Sequence, residues 1–162
     1  MRRAPACALL AACLLAACGS DAPDGPAEAT VGTGSDAFVP LADGDDVMIV
    51  QGPQGGFHVF ASVRVRGLEP GNPEDLGDPD NPTTVFQAFE GDARVDLDAS
   101  TYTQGLDATG EDGLYEMVGR LLILDIQAAA ELDGATLRLT VSITDAAGRS
   151  AADQRTVTAH AP

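Results

Sequence analysis

Leu137-Arg138-Leu139-Thr140-Val141-Ser142-Ile143-Thr144, the turn Asp145-Ala146-Ala147-Gly148-Arg149 and the return from Arg155 to His160 decide how the fold is read. Leu137, Leu139, Val141 and Ile143 alternate with Arg138, Thr140, Ser142 and Thr144. A period of two puts every apolar side chain of the run on one face of a half-buried strand. The short Asp- and Gly-containing turn then returns the chain antiparallel, so this is a β-hairpin.

The same pattern recurs upstream. Between Phe57 and Val65, Val59, Ala61, Val63 and Val65 take one face, and His58, Phe60, Ser62, Arg64 and Arg66 take the other. Val47-Met48-Ile49-Val50 suits a buried strand, and Thr83 to Phe89 resumes β-type patterning. Ala93 to Leu97 is also patterned as a strand, with Ala93, Val95 and Leu97 alternating against Arg94, Asp96 and Asp98. Leu114 to Ile126 fits a helix or a doubly buried strand equally well by periodicity. Strand neighbours on both sides favour the strand. A helical turn is expected over Ala128 to Leu132, and a loop from Thr101 to Gly113. Six to eight short strands separated by Gly, Pro and Asp turns predict an all-β, antiparallel sandwich.

The closing Thr-Val-Ser-Ile-Thr-Asp-Ala-Ala-Gly-Arg run resembles the last strand pair of bacterial immunoglobulin-like domains, which implies an immunoglobulin-like sandwich. The chain has no Trp, and its only cysteines are Cys7, Cys13 and Cys18, so the antibody-type core disulfide and its Trp are absent from the expectation.

The N-terminus supplies an address. Arg2 and Arg3 precede an apolar run from Ala6 to Ala17, the layout of a secretory signal and too short to span a bilayer. Leu15-Ala16-Ala17-Cys18 resembles the lipobox of bacterial lipoproteins, which implies cleavage before Cys18 and acylation of its thiol. The other reading is an ordinary signal cut that leaves Cys18 free. Two or more acyl chains would anchor the protein stably. Gly19-Ser20 in place of an Asp after the cysteine implies, by the same resemblance, the outer membrane. Gly19 to Asp36 lacks bulky apolar residues and is expected to be a disordered tether. The expected organisation is a signal at residues 1–17, a lipidated N-terminus and flexible linker at 18–36, and a β-sandwich domain at 37–162.

Charge narrows the partners. There are 25 Asp and Glu against 9 basic residues, for a formal net charge of −16. Such a surface argues against nucleic acid, which is bound through Lys and Arg, and leaves the membrane anchor, an envelope protein or a cation as partners. No Gly-x-Ser-x-Gly elbow, His-Glu-x-x-His or Walker loop occurs, so no catalytic residue and no cofactor are assigned.

Two candidate sites follow. Gly52-Pro53-Gln54-Gly55-Gly56-Phe57-His58 sets a histidine after a glycine-rich turn that allows close backbone approach, with Gln54 and Arg64 as companions by position and strand parity. This run is similar to a motif in uncharacterised lipoproteins, which implies no activity. As a metal alternative, His58 and His160 with Met48 and Met117 suggest copper. Glu74, Asp75, Asp78, Asp80 and Asn81, in the Pro-rich loop from Leu68 to Pro82, suggest calcium, without an EF-hand pattern. The preferred expectation is a lipid-anchored, non-enzymatic binding or structural module of the bacterial envelope.

Overall fold

Alternating and β-branched segments pair into two facing sheets in the computed structural model, which describes residues 23, 25–98 and 100–162. The signal segment, the lipobox and Cys18 lie outside the described residues. In chain order the strands are β1 (Glu28–Thr33), β2 (Val39–Pro40), β3 (Asp46–Met48), β4 (Val50–Gln51), β5 (Phe57–Arg66) and β6 (Thr83–Glu90). They continue with β7 (Ala93–Arg94), β8 (Thr101–Thr103), β9 (Asp107–Ala108), β10 (Leu114–Leu124), β11 (Thr136–Thr144) and β12 (Ser150–His160). The helical turn expected after residue 127 is a 3₁₀ turn at Ala129–Glu131.

The first sheet runs β2–β1–β5–β10–β9, with β4 also on β5; the second runs β3–β12–β11–β6–β7, with β8 also on β6. Taking β1, β5, β10 and β9 as strands A, B, E and D, and β6, β11 and β12 as C, F and G, this is the strand order of an immunoglobulin-like sandwich. Between the sheets lie Val59, Ala61, Val63 and Val65 of β5 and Leu137, Leu139, Val141 and Ile143 of β11, as their alternation predicts. Phe86 on strand C is the largest fully buried side chain, on the strand that carries Trp in antibody domains. The hairpin turn is closed by Asp145, whose carboxylate accepts the Arg149 N–H at 2.8 Å and the Glu69 N–H at 3.1 Å.

Four expectations need correction, the first being the loop from Thr101 to Gly113, which holds β8 and β9 because these short runs pair with β6 and β10. The segment 28–33, expected within the tether, is β1: Glu28 to Gly32 pair with Arg66 to Ser62, and Val31 is only 1% exposed. Its small side chains carry little apolar signal of their own, and the ladder to β5 supplies what they lack. The chain is held further back still, because the Arg149 guanidinium donates to the carbonyls of Pro23 at 3.1 Å and Gly25 at 2.9 Å.

Residues 47–50 form two strands rather than one. β3 runs parallel to β12 in the second sheet and β4 pairs with β5 in the first, so the sandwich is mixed at one edge. Ile49 is buried at the crossing.

In the 93–97 segment only Ala93–Arg94 form a strand, and the alternation does not set the facing beyond it: Val95 packs against the core, but Asp96 is buried too and Leu97 is exposed. The Asp96 carboxylate accepts the Ala88 N–H at 2.8 Å and pairs with Arg94 at 2.8 Å, so it plugs the sheet edge where an apolar residue would leave that N–H unpaired.

β10 is a strand, as chosen, but a bulge between Met117 and Arg120 breaks its period. That is why the sequence mimicked helical spacing. Gly119, at φ +70°, makes the bulge possible; a Cβ there would sit 2.3 Å from the Ser35 carbonyl oxygen.

Candidate functional site

The pocket grows out of the glycine-rich turn. Gly52 N–H donates to the Gly56 carbonyl at 2.8 Å, and Gly55, at φ +88°, donates to the Gly52 carbonyl at 2.9 Å. The turn joins β4 to β5, setting Val50 opposite His58. On the other side of β5, Ile123 of β10 lies opposite His58 and Leu121 opposite Phe60. Side chains of β5 and β10 and the β4–β5 turn thereby converge on an open cavity of about 270 Å³. Six of its lining residues belong to the 52–58 stretch, and Leu121 and Ile123 complete it.

His58 forms the polar part of a mainly apolar wall. It is 7% exposed, meets Phe60 edge-on at 5.2 Å and lies close against Gly52. Burial holds its pKa below the usual 6.5, so the ring is neutral at pH 7 and offers one donor and one acceptor. Gln54 lines the same cavity and can add an amide. Leu121, 39% exposed, forms its rim. The Tyr102 hydroxyl fixes that rim by accepting the Leu121 N–H at 3.1 Å and donating to the Leu121 carbonyl at 2.7 Å. An uncharged apolar group with one hydrogen-bonding atom fits this lining.

Arg64 does not belong to the site. It shares the outward face with His58 but lies six residues along β5, about 20 Å away. Its Nε pairs with Glu116 at 2.8 Å, and its guanidinium stacks on Phe38 at 4.5 Å. Parity gives the side of a strand and not the distance along it.

The copper residues are not brought together either. His58 points outward from the first sheet and Met117, opposite Val63, inward into the core. His160 hydrogen-bonds Asp46 at 2.9 Å at the edge of the second sheet, with exposed Met48 in register beside it.

In the acidic loop the same residues build turns. Asp75 accepts the Gly77 N–H, and Asp78 the Asp80 N–H, both at 2.9 Å, while Asn81 accepts the Asn72 N–H at 2.8 Å. Among the described residues no three His, Cys, Asp or Glu side chains are grouped to hold a metal ion. Nor is any described helix long and apolar enough to cross a membrane.

Leu121, Ile123 and Tyr102 had no signal in the sequence as site residues, because the β10 bulge hides the register that brings them beside His58. Compared with known proteins, the chain matches no family model and no curated sequence.

Proposed function

We propose that this protein is a lipid-anchored binding module of the bacterial envelope, held at the outer membrane through Cys18 and presenting the Gly52–His58 pocket away from the bilayer. The observation that carries this reading is the placement of the pocket relative to the start of the domain. β1 begins at Glu28 beside Arg66, at one end of β5, and the pocket sits at Phe57 and His58, at the other. The strand between them spans about 30 Å at 3.3 Å per residue. An anchor ahead of β1 therefore leaves the pocket facing outward.

A binding role fits the chemistry better than catalysis. Among the described residues the histidine that bonds a carboxylate is His160, with Asp46, and not His58, and the cavity His58 lines is mainly apolar. Its capacity suits one small apolar moiety. The calcium and copper alternatives gain no support, since the candidate ligands are dispersed or committed to turns.

Mass spectrometry of protein extracted from membranes tests the anchor: Cys18 is expected as the N-terminal residue carrying glyceryl-linked acyl chains, and Cys18→Ser should move the protein to the soluble fraction. An unmodified residue 18, or membrane retention of the variant, would overturn the proposal.

A further inference from the structure

Of the residues lining the cavity beside the glycine-rich turn, His58 alone can change its charge near neutral pH. The others present apolar side chains, glycine backbone and the Gln54 amide. The His58 ring is part of the wall. It is 7% exposed, Phe60 meets it edge-on at 5.2 Å, and a Cβ on Gly52 would stand 3.7 Å from its Nδ1. Ile123 lies opposite it across the ladder to β10. A ligand seated in the cavity would cover the exposure that the ring retains.

The elements around the ring bring little charge to it. Residues 49–57, which include β4 and the turn, contain no ionisable side chain. On β10, Arg120 is opposite Ala61 and lies over the Tyr102 ring at 5.8 Å, while Asp125, exposed, follows the end of the strand. Tyr102 donates to the Leu121 carbonyl, and burial raises its pKa above the usual 10.0, so it stays neutral. Along β5 the next charge is Arg64, paired with Glu116. Burial, not a neighbouring charge, therefore governs His58, and it holds the pKa below 6.5.

We propose that the pocket takes an uncharged apolar ligand at neutral pH and releases it on acidification, with His58 as the gate. The gate rests on the cavity being the ligand site argued above. While the ring is neutral, its donor and acceptor and the Gln54 amide serve one polar atom of the ligand, and the apolar wall takes the rest. Once the ring is protonated, the same ligand has to cover a charge, which costs far more than covering a neutral imidazole. Ligand and proton thus compete, and the competition is reciprocal: an occupied pocket must lower the His58 pKa further. A ligand carboxylate would reverse the sign, because the imidazolium would attract it.

Fluorescence titration of the purified protein with N-phenyl-1-naphthylamine, an apolar probe that stays uncharged between pH 7.5 and 5, tests the gate. Binding should be about fivefold weaker at pH 5 than at pH 7.5. His58→Gln, which keeps a neutral polar group, should remove the difference, and His160→Gln, on the second sheet, should retain it. Gly56→Trp, at a position where a Cβ meets nothing within 4 Å, and Leu121→Arg at the rim both fill the cavity and should abolish binding. Circular dichroism at each pH checks the fold of every variant. Equal affinity at the two pH values, tighter binding at pH 5, or a pH dependence that survives His58→Gln would overturn the gate and leave the pocket standing. Failure of the wild type to bind the probe at pH 7.5, or binding unaffected by both filling substitutions, would overturn the pocket and the gate together.

Discussion

The outer faces of the two sheets use the same strand periodicity and end in opposite chemistry. On the first sheet, Arg64 and Glu116 pair beneath Phe38, the Ser35 backbone lies against Gly119, and the far half opens as an apolar pocket around His58. On the second, Thr, Ser and Gln side chains line a shallow polar trough, and in the next row Arg138 stacks on Phe89 at 4.2 Å. Inward positions are constrained alike in both sheets, because both fill one core. Outward positions are free to differ, and there the two faces acquire different side-chain chemistry.

That contrast assumes one cooperative body, and the shared core is the place to break it. Phe86→Ala removes the largest fully buried side chain and should cost about 4 kcal/mol. Urea denaturation followed by far-UV circular dichroism and by the fluorescence of Tyr102 and Tyr115 should give coincident, shifted transitions. Two separated transitions would mean the sheets fold independently and the comparison fails.

A substitution confined to one face should be felt there alone. Gly119→Ala places a Cβ 2.3 Å from the Ser35 carbonyl oxygen at a positive φ, and should cost about 2 kcal/mol in the same denaturation experiment. Ser142→Val, on the open second face, should stay within about 0.5 kcal/mol of wild type. Equal losses from the two would contradict the assignment of a close-packed loop to the first face only.

The smallest effect separates the faces by pH. Burial lowers the pKa of His58, so the unfolded chain takes up its proton at higher pH than the folded protein does. The stability contributed by the neutral ring is therefore complete above the usual pKa of 6.5 and is lost as pH falls from there towards the lower folded value. Between pH 7.5 and 5, the melting temperature of His58→Phe should fall less than that of wild type. Parallel profiles would show that the ring is not desolvated in the pocket.

What was legible in the sequence follows the same division. The faces of β5 and β11 could be read directly, because an uninterrupted alternation leaves only one set of apolar residues to bury. β1 escaped notice because Ala29 and Val31 are small and its stability comes from pairing with a strand far along the chain. The burial of Asp96 is not legible in the sequence, because its carboxylate is buried to satisfy a backbone N–H of β6, a demand invisible without the ladder. His58 and Gln54 were found through the glycine-rich turn that precedes them. Leu121 and Ile123 were not, since the one extra residue in the bulge reverses their parity relative to Met117. Parity alone points to Arg64, which lies too far along β5 to contribute.

The central claim, a sandwich anchored at one end and open to a ligand at the other, is tested most directly by depth. A fluorophore on Gln54→Cys or on Glu69→Cys of the membrane-extracted protein, reconstituted in liposomes with a headgroup quencher, reports the distance of each end from the bilayer. Strong quenching at residue 69 and weak quenching at residue 54 is the predicted result. Equal quenching, the reverse order, or failure of the protein to remain with the liposomes would contradict the account.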